Sequence, residues 1–229
     1  MDRALTVAAI LIVLAGGYVV FSRFNKAFTP SDTTTIATEE INITTARVQE
    51  ETDTYRIDAK YPQFGIPTID ERVEEFVQGA ITQFKSDVAL GPPPPDSVVQ
   101  QYDFTSLFDT VHVGSDVVSA RLVISTYMGG AHPNSFISGL NFERSTGKML
   151  TLNDALSMIG LLLEQVAEKA KEELEVKLGE SIIAPEGADA TPENYSSFVV
   201  GAEDVTFIFQ PYQVAPYAAG PQEVSIPRK

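Results

Sequence analysis

The sequence contains no cysteine and only two histidines, His112 and His132, and these shortages exclude several kinds of site. Without cysteine there is no disulfide framework, no thiolate metal site, no cysteine nucleophile and no lipid-modified cysteine. As a zinc ligand, His132 lacks a second His or Cys partner, so carboxylates would have to supply the remaining ligands. We therefore predict no catalytic residue of these types, no metal site and no cofactor.

Basic residues are also scarce, with 16 Lys and Arg against 31 Asp and Glu and a net charge of −15. The chain after residue 28 carries −17, because Asp2, Arg3, Arg23 and Lys26 all precede it. Such a domain repels nucleic acid and anionic lipid headgroups, and it attracts cationic proteins. Loose binding of divalent cations and mere solubility are the alternative interpretations of this acidity.

The N-terminal run Ala4–Phe21 comprises 18 apolar or small residues without a charge. As a helix it would be roughly 27 Å long, close to the thickness of a bilayer hydrocarbon core. We predict an uncleaved membrane anchor over residues 1–28, with a cleaved signal peptide as the alternative. The flanking basic residues differ by about one charge and slightly favour a cytoplasmic domain.

Residues 29–47 are rich in Thr and Glu and predict a flexible linker whose end enters the fold. The rest of the chain suits one compact unit, since 44% of all residues are hydrophobic. Alternating apolar residues predict a strand over 53–64. An apolar stripe then predicts a helix from Pro67 to Val88, with a capping box formed by Thr68 and Glu71.

Three further strands are predicted at 98–114, 116–128 and 134–143, joined by short turns into an antiparallel meander. A second long helix follows, capped at its start by Thr151 or Asn153 and at its end by Gly179. Residues 198–227 predict two or three short strands around the bend PYQVAPYAAG. This order predicts an α+β fold, a mainly antiparallel sheet with two long helices packed on one face.

Two stretches carry a family resemblance: YMGGAHPNSFISGLNFERSTGKMLTLNDAL and, later, FVVGAEDVTFIFQPYQVAPYAAGPQEVSIP. The chain resembles the paired bacterial domain families DUF4163, over roughly residues 48–135, and DUF3298, over roughly 136–229. Their members are extracytoplasmic modules on membrane anchors. They include the sensor region of a lysozyme-responsive anti-sigma factor and the non-catalytic part of a peptidoglycan deacetylase.

The resemblance implies an extracytoplasmic domain, which we prefer over the one-charge difference at the anchor. We do not expect the anti-sigma role to carry over, since three residues precede the apolar run. The deacetylase chemistry requires a motif of Asp and two His that this sequence lacks. We therefore expect a non-catalytic, membrane-tethered binding or sensing module of the cell envelope, with a basic protein such as lysozyme, or peptidoglycan, as its partner.

The segment GGAHPN offers the sharpest pair of alternatives. As a turn between two strands it needs glycine at positive φ, so Gly129, Gly130 and Pro133 would be structural, as would Gly220 in the later bend. As part of an active site it would present His132 as a general base in a hydrolase of envelope glycan or peptide. No nucleophile-elbow pattern accompanies the histidine, so we favour the turn.

Aromatic residues near the predicted loops supply the candidate binding surface. Tyr212 and Tyr217 could stack on a sugar, or could close one end of a sheet with their hydroxyls bonded to the backbone. The complete candidate set comprises Tyr127, His132, Asn134, Tyr212 and Tyr217. A hydrolase and a binding module differ in what His132→Ala should do, since only the hydrolase would lose catalysis.

Overall fold

The computed structural model describes residues 42–229. The predicted anchor, residues 1–28, and most of the predicted linker lie outside the described residues. Among the described residues, no helix is long and apolar enough to cross a membrane.

The described chain contains eight strands and three α-helices. In order they are β1 (Thr44–Glu51), β2 (Tyr55–Gln63), α1 (Pro67–Val88), β3 (Tyr102–Val113), β4 (Val117–Tyr127), β5 (Asn134–Glu143), α2 (Leu152–Ile159), α3 (Leu163–Leu178), β6 (Phe198–Val200), β7 (Asp204–Phe209) and β8 (Gln222–Pro227). The mixed α+β class and the antiparallel meander β3–β4–β5 are confirmed. Strand β1 begins at Thr44, inside the segment that the sequence assigned to the linker.

The strands form two sheets rather than the single predicted one. Strands β1 to β5 make a five-stranded sheet in chain order, and β6 to β8 make a three-stranded sheet. All pairs are antiparallel except β2 with β3. That parallel pair follows from the intervening helix α1, which carries the chain back to the end of the sheet where β2 began.

The prediction that both long helices cover one face of one sheet is wrong. Helix α1 packs on the five-stranded sheet, where its buried stripe of Ile69, Val73, Val77, Ile81 and Phe84 meets one face of the strands. Helices α2 and α3 instead pack with the three-stranded sheet, in a second core. Each sheet therefore buries one face under its own helices.

The second long helix is in fact two helices, α2 and α3, separated at Gly160. Gly160 has φ of 63° and ends α2 in the left-handed conformation, which glycine adopts without steric cost. Thr151 caps α2 in a capping box with Asp154, and Gly179 ends α3, as predicted. The apolar periodicity continues across the break, which is why the sequence suggested one helix.

The capping box predicted for α1 is also wrong. Ile66 is the N-cap residue, no side chain caps the helix, and Pro67 occupies the first turn. Asp70 instead ties the first turn of α1 to the preceding loop, because its carboxylate accepts a hydrogen bond of 2.6 Å from the backbone N–H of Phe64. Burial nevertheless raises the pKa of Asp70.

The two sheets meet where β6 lies against β4 and β5. Gly139 in β5 permits this approach, because an added Cβ would overlap the carbonyl of Phe198. The buried side chain of Asn141 donates to that carbonyl at 2.7 Å and accepts from the backbone N–H of Val200 at 2.8 Å. The amide of Asn141 thus pairs with the backbone of β6 as a neighbouring strand would, which fixes the second sheet on the first.

Candidate functional site

The segment GGAHPN connects β4 to β5, and its two glycines adopt the backbone angles predicted for a turn. Thr126 pairs with Asn134 at the base of the connection. Gly129 and Gly130 have φ of 102° and 106°, a region that L side chains rarely occupy. The hydroxyl of Tyr127 donates to the carbonyl of Gly130 at 2.9 Å, which ties the turn to the end of β4.

A second turn, formed by residues 210–213, faces this one. The backbone N–H of Gln213 donates to the carbonyl of Gln210 at 2.9 Å, and Pro211 and Tyr212 occupy the two central positions. Tyr212 has φ of 70°. Proline followed by positive φ is the pattern of a type II turn, in which glycine or asparagine normally takes the second central position. A tyrosine there costs on the order of 1–2 kcal/mol of backbone energy.

Three of the candidate residues are in direct contact: His132 from the first turn, Tyr212 from the second, and Tyr217 from the short 3₁₀ turn that follows. The rings of His132 and Tyr217 are stacked, with centroids 3.6 Å apart and an interplanar angle of 12°. The hydroxyl of Tyr212 lies 3.1 Å from Nε2 of His132, and the Tyr212 and Tyr217 rings are 5.6 Å apart. We call His132, Tyr212 and Tyr217 the aromatic cluster. Tyr212 is its most exposed member, at 55% of its accessible surface.

Hydrogen bonds define the state of the His132 ring. Its Nδ1 lies 2.8 Å from the carbonyl oxygen of Pro133, which also accepts a hydrogen bond of 3.0 Å from the hydroxyl of Tyr217. Because a carbonyl oxygen only accepts, Nδ1 donates to the carbonyl of Pro133, and Nε2 is left to share a hydrogen bond with the hydroxyl of Tyr212. Within residues 42–229 no carboxylate is hydrogen-bonded to the ring, so His132 lacks the orienting acid of a catalytic triad.

The remaining candidates lie around the aromatic cluster with different tasks. Tyr127 also packs against the core of the five-stranded sheet. Asn134 is exposed and is the first residue of β5. Pro133 supplies the carbonyl shared by two cluster members, and Gly220, with φ of 69°, ends the short 3₁₀ turn that carries Tyr217.

Two glutamines that the sequence did not single out hold the turns in place. The side chain of Gln210 accepts from the backbone N–H of Ile137 and donates to the carbonyl of Ile137, so it binds the second turn to β5. The side chain of Gln213 donates to the carbonyls of Gly187 and Asn194. Glutamine is common on surfaces, and nothing in its local sequence indicates these long-range contacts.

The other histidine, His112, lies at a different place, after a bulge in β3. Burial and the charge of Arg228 lower its pKa, whereas Asp116 raises it. Asp116 and Arg228 form an ion pair at 2.6 Å. Among the residues that the structure describes, no group of three or more His, Cys, Asp or Glu is placed to hold a metal ion.

Two family models match the chain. The model for the deacetylase PdaC matches residues 48–135, and the model for a protein of unknown function, DUF3298, matches residues 152–229. His132 and Pro133 lie in the first match, whereas Tyr212 and Tyr217 lie in the second. The aromatic cluster is thus assembled from both regions, and neither region contains it alone.

Similar curated proteins carry different functional descriptions. The peptidoglycan-N-acetylmuramic acid deacetylase PdaC of Bacillus subtilis is 21% identical over 188 residues, which are 81% of this chain and 40% of the relative. The immunogenic protein MPT64 of Mycobacterium tuberculosis is 28% identical over 47% of this chain and 48% of its own length. The chain therefore spans less than half the length of these relatives.

An esterase of Mycobacterium tuberculosis is 24% identical over 183 residues, 76% of this chain and 75% of the esterase. Two solved structures of DUF3298 family proteins are also similar. The one from Bacteroides fragilis has a TM-score of 0.48 and 18% identity over 82% of this chain and 90% of its own. The one from Pseudomonas aeruginosa PAO1 has a TM-score of 0.49 and 17% identity over 81% and 91%. The family-model match identifies residues 152–229 as a region similar to the DUF3298 family.

Proposed function

We propose that the chain is a non-catalytic binding module of the bacterial cell envelope, tethered by residues 1–28 with its folded part outside the membrane. Its ligand in this proposal is a basic protein such as lysozyme, and the aromatic cluster is the contact surface. The observation that carries the proposal is Tyr212, which is exposed and held at positive φ against His132. A strained, exposed aromatic side chain is typical of a functional surface rather than of a residue retained for stability.

The charge of the chain supports a cationic partner. A net charge of −15 steers basic proteins towards the surface. Tyrosine faces then offer cation–π contacts to Lys and Arg at about 0.5–1 kcal/mol each for exposed sites. The similarity to a peptidoglycan-modifying enzyme supports a place in the envelope, where enzymes that cleave peptidoglycan also act.

A titration of the full chain with hen-type lysozyme at about 0.05 M and 0.15 M salt tests the proposal. Screening over a Debye length of about 8–10 Å removes purely long-range attraction at the higher salt concentration. Specific contacts at the aromatic cluster should leave saturable binding at 0.15 M. Binding that disappears at the higher salt would reduce the effect to nonspecific attraction and would contradict the proposal.

A hydrolase is the second candidate, because the similarity to the esterase covers three quarters of both chains. Its active site would include His132, whose Nε2 lies 3.1 Å from the hydroxyl of Tyr212 and would accept a proton from a nucleophilic hydroxyl during hydrolysis. An assay with p-nitrophenyl acetate separates the two functions. Turnover that His132→Ala abolishes, without loss of thermal stability, would favour the esterase.

A further inference from the structure

A cleft between α3 and the loop that follows it lies outside the aromatic cluster. Its volume is about 460 Å³, and it runs along one turn of α3 from Lys171 to Glu175. The opposite wall is the segment from Ile182 to Asp189, and Val214 contributes to the lining. The cleft is therefore large enough to hold a whole lysine side chain with part of its peptide.

The cleft combines an apolar floor with an acidic rim. Leu174, Ala188 and Val214 are each at most 2% exposed and form apolar lining. On the rim, Lys171 pairs with Asp189 at 2.6 Å. Glu175 and Glu186 form no ion pair with any residue in 42–229. Each wall therefore presents one carboxylate to solvent above a buried apolar surface.

This combination selects one kind of occupant. An anion would meet Glu175 and Glu186, and a purely apolar group would remove water from both carboxylates without a compensating partner. A divalent cation would gain nothing from the apolar floor, and no three-ligand group exists in the described part of the chain. An aliphatic stem that ends in an ammonium satisfies both parts, because lysine buries its methylenes on apolar surface while its charge remains at the rim.

We propose that this cleft binds a lysine side chain presented by a basic protein. The stem would lie on Leu174 and Val214, and the ammonium would meet Glu175 and Glu186. The net charge of −15 favours a polypeptide source, since it attracts cationic proteins over distances of about a Debye length. The inference rests on the proposed function, because it specifies a chemical group that the basic partner would present.

The cleft is also joined to the aromatic cluster through the chain. Val214 lines the cleft, Tyr212 belongs to the cluster, and Gln213 between them donates two hydrogen bonds that fix the segment to the 186–195 loop. The hydrogen bond from the side chain of Gln213 to the carbonyl of Gly187 connects the cleft wall with the turn that presents Tyr212. A protein that contacts Tyr212 therefore has this cleft within reach of a neighbouring basic side chain.

The test uses the full chain in detergent micelles with isotope-labelled Leu, Val and Ile methyl groups. The probes are acetyl-Gly-Lys-Gly-amide and acetyl-Gly-norleucine-Gly-amide, which differ in the ammonium group. The lysine peptide should shift the methyl signals of Leu174, Ile182 and Val214 saturably, with an affinity at least tenfold above that of the norleucine peptide. Equal binding of both peptides, or shifts elsewhere only, would overturn the proposal.

Variants separate the rim carboxylates from net charge. The double substitution Glu175→Gln, Glu186→Gln should lower the affinity for the lysine peptide at least tenfold. The matched double substitution Glu164→Gln, Glu168→Gln, at exposed positions of α3 outside the cleft, should change this affinity less than twofold. If both double variants lost similar affinity for the lysine peptide, charge attraction alone would explain the binding and the proposal would be wrong. Tighter binding of free 1,5-diaminopentane than of the peptide would overturn the polypeptide source.

The experiments distinguish failure of the proposed lysozyme binding from failure of the proposed lysine site in the cleft. If the lysine peptide binds in the cleft but lysozyme does not bind the chain, the cleft inference stands and the proposed partner is wrong. If lysozyme binds through Tyr212 but the peptide causes no shifts at Leu174, the cleft inference alone is wrong.

Discussion

The hydroxyl of Tyr212 lies 3.1 Å from Nε2 of His132, although 80 positions separate the two residues in the chain. His132 comes from the turn between β4 and β5 of the five-stranded sheet, and Tyr212 comes from the turn after β7 of the three-stranded sheet. The contact exists because β6 docks on β4 and β5, so the candidate site depends on the packing of the two sheets.

The β4–β5 turn depends on its glycines. Replacing Gly129 or Gly130 by Val should lower the free energy of unfolding by about 1 kcal/mol or more, because a β-branched residue is strongly disfavoured at positive φ. Thermal melting should show a decrease of about 2–4 °C per kcal/mol. Met128→Val is the control, since this exposed neighbour does not have positive φ. Variants at Gly129 and Gly130 that all melt with the wild type would contradict the turn assignment.

The contact between the sheets depends on Gly139. Gly139→Ala should destabilise by about 3 kcal/mol or prevent folding, since its Cβ would overlap the carbonyl of Phe198 and overpacking distorts neighbouring backbone. Gly79→Ala is the control: no atom lies within 4 Å of its added Cβ, and alanine in a helix interior stabilises by about 0.5–1 kcal/mol. Equal melting temperatures for Gly139→Ala and wild type would refute the close approach.

Acid stability should depend on the pair formed by Arg47 and Asp58, which join β1 to β2 with two hydrogen bonds of 2.7 Å. The hydrogen bond from Arg47 holds the pKa of Asp58 below its usual value. A carboxylate with a lowered pKa stabilises the fold above its unfolded pKa, about 3.9, and this contribution is lost as pH falls through the folded pKa. The melting difference between wild type and Asp58→Asn should therefore be present at pH 7 and shrink below about pH 4. The melting difference between wild type and Arg47→Met should show the same pH dependence. A melting difference that grows towards low pH would contradict the stabilising role of the Arg47–Asp58 pair.

The topology prediction concerns residues outside the described part of the chain. If residues 1–28 anchor the protein with residues 29–229 outside, protease added to intact spheroplasts should degrade the folded domain. A cytoplasmic protein serves as the control for intact membranes. Protection of the domain until lysis would invert the orientation and remove access to any extracellular basic protein.

Local patterns in the sequence predicted the elements that depend on neighbouring residues. Alternation and short turn motifs predicted β3, β4 and β5, and the apolar stripe predicted α1. Non-local features were not predictable in this way. The parallel pairing of β2 with β3 and the division into two sheets depend on contacts across long separations. The break at Gly160 was missed because the apolar periodicity carries on through it.

The site shows the same division. Glycines at positive φ were predictable because the turn GGAHPN requires them. His132, Tyr212 and Tyr217 could be selected as candidate binding residues because they lie in predicted loops. Their stacking could not be predicted, since it depends on how the sheets pack. The positive φ of Tyr212 was hidden as well, because Pro211 indicates a turn without fixing its type.

The most direct test of the proposed binding surface is Tyr212→Gly, measured in parallel by thermal melting and by lysozyme titration at about 0.15 M salt. Glycine relieves the positive φ, which offsets the loss of the hydrogen bond to His132. The account predicts a free energy of unfolding within about 1 kcal/mol of wild type and an affinity at least tenfold lower, which is a loss of about 1.4 kcal/mol. Leu107→Ala, which alters a side chain of similar exposure (56%) on β3, should leave the affinity unchanged. Unchanged lysozyme affinity in Tyr212→Gly, or a loss of stability well above 1 kcal/mol, would contradict the claim that Tyr212 is kept for binding.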